Sequence, residues 1–559
     1  MTDPDRLHRA LHDHFGHEAF QGFQEDVIRH VTQGGDALVI LPTGGGKSLC
    51  YQLPAVVLPG MTIVLSPLIA LMQDQVEALE EKGVRATCIH HGIVGQERKA
   101  RMRGLEQGEF DLLYVTPERF RKPEFLELVR SLDISLLAVD EAHCMTSWGH
   151  DFRPEYGRVG HIREQLGCPP TVALTATARP ETQDRILEVL GIPDARRFLA
   201  GIERPELFLS AKPIHSKEER LERIVEVIEG VGGPGIVYMT LIRSLTALED
   251  ELRQRGFDPW VYHGKLSTWE RRNMQQEFQA SKDGIVLATN AFGMGIDKPD
   301  IRFIIHGQIP GSLESYYQEV GRAGRDGRLA LCELLYLEED LATQQKFIEW
   351  ANPAPEFVRG VVQILETWGE HAYAHSVEEI RDTLLLKNRG DGRVETTLGL
   401  LRSRDVVSGD FEAGDLRLLR PLAAGEEHAI VSEEKRSRDL IRLLEMARWV
   451  RSETCRRVSL HACFGVESDP CGACDVCLGG SSLELIKFRH HGGGGREKPL
   501  AESGETPPLT RGDWIRVGPA KLRVLKVAHG RRGWSVDAEC SDSLEIRTIE
   551  LSRTRWTRL

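Results

Sequence analysis

The stretch DALVILPTGGGKSLCYQLPAVVL, residues 36 to 58, restricts the possible folds of this chain more than any other. Ala37 to Ile40 is an unbroken apolar run, as in a strand buried on both faces, and the apolar residues beyond Lys47 predict a helix that begins near that lysine. Between strand and helix, Thr43, Gly44, Gly45 and Gly46 form a turn whose backbone N–H groups can curl around phosphate oxygens. Lys47 is then placed to reach the β and γ phosphates, and the Ser48 hydroxyl to meet Mg²⁺. A strand, a glycine loop and a helix in this order predict an α/β unit built on a parallel sheet.

Two further segments supply what a bare phosphate loop lacks. SLLAVDEAH, Ser135 to His143, predicts a second buried strand that ends in Asp140 and Glu141. A carboxylate at the tip of an apolar strand is costly unless it faces a cation or water, so Asp140 is expected to hold Mg²⁺ and Glu141 to polarise the attacking water. Far downstream, YYQEVGRAGRDG carries Arg322 and Arg325 at a spacing that puts both on one face of a helix. An arginine that reaches the γ phosphate contributes about 10³ to 10⁵ in rate in such enzymes. VLATNAFGMGIDKPD, Val286 to Asp300, predicts another strand and glycine loop, with Asp297 placed to contact ribose or to order the arginines.

The whole chain sets the frame. At 559 residues it exceeds one hydrophobic core, and about 150 residues per domain predicts roughly three to four units. No apolar run of about 18 residues is present to span a bilayer, and no secretory leader is evident, so the expected location is the cytoplasm. The net charge of −13 does not exclude a nucleic-acid partner, because phosphate contacts require a local basic surface rather than a basic total.

The ordered motifs resemble the RecQ family of superfamily 2 DNA helicases. The resemblance rests on FGHEAFQGFQ (15–24), LPTGGGKS (41–48), VLSPLIALMQDQV (64–76), YVTPER (114–119), DEAHCMTSWGHDFRPEY (140–156), ALTATA (173–178), VYHGKLS (261–267), VLATNAFGMGIDKPD and YYQEVGRAGRDG. It implies an ATP- and Mg²⁺-dependent motor with two RecA-like lobes, residues 1–200 and 201–343, that moves 3′-to-5′ on single-stranded DNA and unwinds duplexes in repair or recombination. It also implies that the loop after D-E-A-H contacts the strand and links its occupancy to hydrolysis. Trp148 and Phe152 offer faces for base stacking, worth roughly 1–3 kcal/mol per base, and His150 and Arg153 can meet phosphate or the nucleotide cleft. In the first motif His17 and Gln21 stand where the family has a tyrosine and an arginine around adenine, whereas Gln24 retains an amide that can read the adenine edge. Two other readings fit the same residues: an RNA helicase or remodeller, and a non-enzymatic nucleic-acid-binding scaffold.

Beyond the lobes, residues 344–430 show three helical patterns, Val358 to Trp368, Val377 to Leu386 and Val394 to Ser403, and then a short hairpin, which together suggest a winged helix. In the resembled family such a domain follows the zinc module, so its position before the cysteines is a departure. The hairpin tip, Asp410 to Asp415, carries three acids and no base, which argues against phosphate contact there.

Residues 431–480 hold Cys455, Cys471, Cys474 and Cys477, a C-x₂-C-x₂-C triplet with one distant partner that can close a tetrahedron around Zn²⁺. The same triplet can bind an iron–sulfur cluster, and the resemblance implies zinc. Cys463 reads as a buried apolar residue rather than a further ligand. Residues 481–510, rich in glycine and polar residues, predict a flexible linker. Residues 511–559 alternate polar and apolar positions, as in a small β-barrel, and carry eleven Lys and Arg against six Asp and Glu, a local charge of +5. With Trp514, Trp534 and Trp556 among its strands, this unit is expected to bind nucleic acid or a protein partner, although tryptophans in so small a barrel also suit its core.

Overall fold

The computed structural model describes the chain except residues 1–3, 43, 68, 91, 146–153, 200–202, 294, 295, 297, 386–390, 410, 412, 413, 480–482, 484–513, 518, 519, 531, 532, 541–545, 551–556 and 559. The chain divides into two compact units, Met1–Ile486 and Lys487–Leu559.

Lobe 1 is a seven-stranded parallel sheet. Its strands are β1 (Ala37–Ile40), β2 (Met61–Leu65), β3 (Ala86–Ile89), β4 (Leu112–Val115), β5 (Ile134–Val139), β6 (Thr171–Thr175) and β7 (Arg196–Leu199), in the order β3-β4-β2-β5-β6-β1-β7. Successive residues of each inner strand enter different cores. Ala37 and Val39 join Val64, Leu112, Leu136 and Val172 on one face, while Leu38 and Ile40 join Ile63, Leu113, Leu137 and Ala173 on the other. Burial on both faces explains why these strands read as continuous apolar runs rather than alternating ones.

Lobe 2 repeats the design with six parallel strands, β8 (Leu207–Pro213), β9 (Gly235–Tyr238), β10 (Trp260–Tyr262), β11 (Ile285–Ala288), β12 (Phe303–His306) and β13 (Ala330–Tyr336), in the order β10-β11-β9-β12-β13-β8. One of its faces is covered partly by its own helices and partly by a module from far along the chain: Met446, Trp449, Leu460, Phe464 and Cys474 belong to the same core as Ile236, Val286 and Ile304.

Residues 355–431 form a separate core of their own. The helices Pro355–Trp368, Val377–Leu384 and Arg393–Ser403 and the antiparallel pair Val407–Ser408 and Arg417–Leu418 pack around Val361, Leu365, Ile380, Leu398, Leu401 and Val407. Two residues of the acidic hairpin tip, Asp410 and Glu412, lie outside the described residues. The module that covers lobe 2 consists of the helices Glu433–Arg451, Arg456–Cys463 and Asp475–Leu478. At the head of the segment expected to be a linker, Leu483 is buried against lobe 2, where a Cβ on Gly230 would meet its Cδ2 at 2.9 Å.

The second unit is a five-stranded antiparallel sheet. The strands Trp514–Val517, Ala520–Gly530, Gly533–Cys540 and Ile546–Glu550 follow one another as a meander, and Thr557–Arg558 pairs with the first of them. Among the described residues the two edge strands, Ile546–Glu550 and Thr557–Arg558, each pair with one inner neighbour and not with each other. No helix among the described residues is long and apolar enough to cross a membrane.

Candidate active site between the lobes

The phosphate loop sits at the carboxyl end of β1, where open parallel sheets bind ligands. Gly44 and Gly46 have φ of +83° and +72°, a left-handed backbone that disfavours any side chain. Space imposes the same restriction, because a Cβ on Gly46 would lie 2.2 Å from Nε2 of Gln24. Gln24 is buried and its amide lies on the loop: Nε2 is 3.3 Å from the carbonyls of Gly45 and Gly46, and Oε1 accepts from the Gln21 amide at 2.8 Å. The amide expected to read adenine therefore supports the loop in this structure. Lys47 and Ser48 precede the helix, which begins at Leu49, and the lysine ammonium donates to the Leu41 carbonyl at 3.4 Å. Thr43 lies outside the described residues.

Two strands away, β5 ends at Val139, earlier than the sequence suggested. Asp140 and Glu141 form the turn, and Ala142–Met145 coils into a short 3-10 helix. Asp140 is buried and accepts from the Glu141 amide at 3.0 Å, and burial and the neighbouring Glu141 carboxylate push its pKa up, against the pull of Lys47. A carboxylate this poorly solvated has its charge restored by a cation, which is the behaviour expected of a Mg²⁺ ligand. Glu141 holds a left-handed backbone at φ 48° and lies 3.3 Å from His143. Buried His143 is also 2.9 Å from the Thr175 hydroxyl, which donates to the Thr177 carbonyl at 3.1 Å. The Thr177 hydroxyl in turn accepts from Gln318 of lobe 2 at 3.0 Å. A chain of polar contacts thus runs from the D-E-A-H turn through the ALTATA segment to the other lobe.

The arginines are not placed as a helical spacing would put them. The helix Leu313–Val320 ends before Gly321, and Arg322 and Arg325 fall in the turns beyond it, with Gly324 at φ +63°. Both nevertheless reach the segment after β11, where Arg325 donates to the Ile296 carbonyl at 3.1 Å. Arg322 is buried and donates to the Gly293 carbonyl, whereas Arg325 crosses to lobe 1: a Cβ on Gly44 would lie 3.4 Å from its Cδ and Nε. Asp297 and the residues expected to contact the strand, Trp148, His150, Phe152 and Arg153, lie outside the described residues.

Sequence reasoning missed the clamp that joins the lobes. Arg179, directly after ALTATA, pairs with buried Glu314 of lobe 2, with Nη2 to Oε2 at 3.1 Å, and with Glu445 of the helix Glu433–Arg451 at 2.7 Å. Arg442 of the same helix reaches Glu314 at 3.4 Å. Nothing in the local pattern around Arg179 announces partners 135 residues and more away.

The four cysteines converge as the spacing suggested. Their sulfurs all lie within 4.8 Å of one another, with Cys455 at 3.4 Å from Cys471 and 3.9 Å from Cys474. Four thiolates about 2.3 Å from one Zn²⁺ stand about 3.8 Å apart, so the cradle fits a single zinc; an iron–sulfur cluster distributes its cysteines over several irons and needs a wider one. Cys463 is not among the four. Arg456, one residue after the first ligand, is a structural keystone: its guanidinium donates to Asp475 at 2.9 and 3.0 Å and to the carbonyls of Val450 and Ser452 at 3.1 and 3.2 Å. Asp475 also accepts from the Ala211 amide on edge strand β8 at 3.0 Å, which fixes the module to lobe 2.

Two RecA-like lobes with a phosphate loop and an acid pair in one, and an arginine from the other lying against that loop, define a nucleotide-driven motor of the helicase class. Residues 21–186 match the DEAD/DEAH box helicase model, 216–327 the helicase conserved C-terminal domain, and 413–478 the RecQ zinc-binding model. The chain is 38% identical to the probable ATP-dependent DNA helicase RecS of Bacillus subtilis over 71% of this chain and 79% of that one. It is 42% identical to the RecQ helicase of the same organism over 61% and 58% of the two chains, and 34% identical to the Synechocystis RecQ helicase over 86% and 100%. The chain belongs to the RecQ family of superfamily 2 helicases.

Proposed function

We propose that the protein hydrolyses ATP between its lobes and uses the cycle to move 3′-to-5′ along single-stranded DNA, separating duplexes in repair or recombination. The observation that carries this reading is Arg325 of lobe 2 lying over Gly44 of the lobe 1 phosphate loop, because a site completed by both lobes converts nucleotide turnover into lobe movement. Thr43, Gly44, Gly45, Gly46 and Lys47 cradle the phosphates; Ser48 and Asp140 hold Mg²⁺, and Glu141 orients the water. Bound Mg²⁺ supplies the positive charge that neutralises the phosphates. Arg325 stabilises charge at the γ phosphate, and Arg322 joins it by leaving the Gly293 carbonyl, with Asp297 ordering ribose or the arginines. Gln24 ties nucleotide occupancy to loop shape.

Trp148, His150, Phe152 and Arg153 contact the strand and report it to Asp140 and Glu141. Zinc on Cys455, Cys471, Cys474 and Cys477 is structural, with no position left open for catalysis. A four-cysteine zinc site suits a reducing compartment, which supports a cytoplasmic location. Residues 355–431 are read as a winged-helix-like domain. The C-terminal sheet is read as a small barrel that holds nucleic acid or a protein partner.

The test is steady-state ATP hydrolysis with and without a single-stranded oligonucleotide. Wild type is expected to be strongly stimulated, Lys47→Ala to be inactive, and Trp148→Ala to retain basal turnover without stimulation. Stimulation by RNA equal to that by DNA would move the reading to an RNA helicase, and turnover indifferent to both would reduce it to a nucleotide switch.

A further inference from the structure

Residues 355–431 do not merely follow lobe 2; they reach across to lobe 1. At the end of the helix Arg393–Ser403, Asp405 adopts a left-handed backbone at φ 52°, and the next two residues, Val406 and Val407, are buried in the segment's own core. That turn presents the Asp405 carboxylate outward, where two lobe 1 guanidiniums converge on Oδ1: Arg121 at 3.5 Å and Arg158 at 3.4 Å. Arg121 also donates to the Arg402 carbonyl at 3.3 Å, one of the last carbonyls of the same helix, where the helix dipole is negative. Both arginines stand on the carboxyl-end side of the lobe 1 sheet, the side that carries ligands in such sheets. Arg121 closes the 3-10 turn Pro117–Arg121 that follows β4, and Arg158 closes the 3-10 turn Pro154–Arg158. On the lobe 2 side the same helix borders a cavity of about 1020 Å³, with Thr396 and Gly399 across from Thr240, Asn290 and Gln308.

Two guanidiniums that converge on one singly charged oxygen group form a phosphate site by chemistry. A carboxylate borne by another domain is the matching intramolecular occupant. We infer that Arg121 and Arg158 bind a backbone phosphate of the DNA strand and that Asp405 occupies this site in the absence of DNA, latching residues 355–431 across the two lobes. The inference rests on the proposed function for its ligand. The latch is weak by construction: Asp405 is 61% exposed, and exposed pairs of this kind contribute little and are screened by salt. A strand with a phosphate every few ångströms displaces it, and the segment then clears the groove between the lobes.

The experiment measures binding of a fluorescein-labelled single-stranded oligonucleotide by anisotropy at low and at high salt, on the full chain. Asparagine and glycine both tolerate a positive φ, so Asp405→Asn and Asp405→Gly remove the charge and keep the turn. Both are expected to tighten DNA binding about threefold at low salt, with the gain shrinking at high salt and the melting temperature unchanged. In the Arg121→Ala/Arg158→Ala background, binding is expected to weaken by about tenfold and the Asp405 substitutions to have no further effect. Unchanged or weaker binding in both Asp405 variants overturns the inference, as does a gain that persists without the two arginines. A wild type that binds no DNA overturns the functional reading and this inference with it, whereas wild-type binding with indifferent Asp405 variants overturns only the latch.

Discussion

The residues from 433 to 478 and those from 355 to 431 both follow lobe 2 along the chain, and they are attached to the rest of the molecule by different physics. The zinc module shares a core with lobe 2 through Met446, Trp449 and Cys474, and the ion pair that fixes it there, Arg456 with Asp475, is largely shielded from water. The segment before it has a core of its own and meets lobe 1 through side chains that water reaches, Asp405 with Arg121 and Arg158. Burial removes solvent screening and makes a broken partnership costly; exposure leaves a contact that a competing ion replaces. One attachment is built to persist and the other to be exchanged.

The strongest way to break this comparison is to remove the metal. Because the ligands sit inside the lobe 2 core, Cys474→Ser or chelation is expected to cost more than about 5 kcal/mol and to lower the melting temperature by roughly 10 °C or more. Calorimetry that shows lobe 2 melting unchanged would mean the module is an appendage. Arg456→Ala is the next test. It strands the Asp475 carboxylate beside β8, at an expected cost of about 3–5 kcal/mol in urea unfolding, and Arg456→Lys is expected to restore only part of it, since a single ammonium cannot reproduce the forked contacts. A loss under about 1 kcal/mol would place this ion pair with the exposed ones.

Arg179→Ala probes the clamp that holds lobe 1 against lobe 2 and the zinc helix together. With Arg442 still beside Glu314, the expected loss is smaller, about 2 kcal/mol, and it is expected to appear in DNA-stimulated turnover as well as in stability. Stability falling while stimulated turnover stays intact would show that the clamp is not part of the motor. The smallest effect is expected from Asp405→Asn, within about 0.5 kcal/mol in stability. A destabilisation of several kcal/mol there would show that the segment is welded on as firmly as the zinc module.

Much of this architecture was legible because local chemistry demanded it. The strand Ala37–Ile40 has the bounds its apolar run predicts, and two of the loop glycines have the positive φ for which glycine is needed. The three helices after lobe 2 lie within a few residues of their sequence patterns, because each is amphipathic and bounded by serine or proline starts or by glycine. The errors were of another kind. The spacing of Arg322 and Arg325 suits a helix, but Gly321 ends the helix first and Gly324 turns the chain, so both side chains act from turns, on the carbonyls of Gly293 and Ile296. The strand expected to end in Asp140 and Glu141 stops at Val139, because the DEAH turn is held by His143 reaching Thr175, a contact no local pattern encodes.

By itself the sequence determined the parallel sheets, the phosphate loop, the acid pair and the four-cysteine zinc site, because each depends on residues close in the chain or on a spacing that admits few geometries. Only the tertiary structure decided that the zinc module closes one face of lobe 2, that Arg179, Glu314 and Glu445 join three parts of the chain, that Gln24 braces the phosphate loop, and that Asp405 lies between two lobe 1 arginines. Those are meetings of single charged or polar side chains far apart in sequence, and an ion pair leaves no periodicity in the chain: its partner is set by where two folded surfaces come to rest.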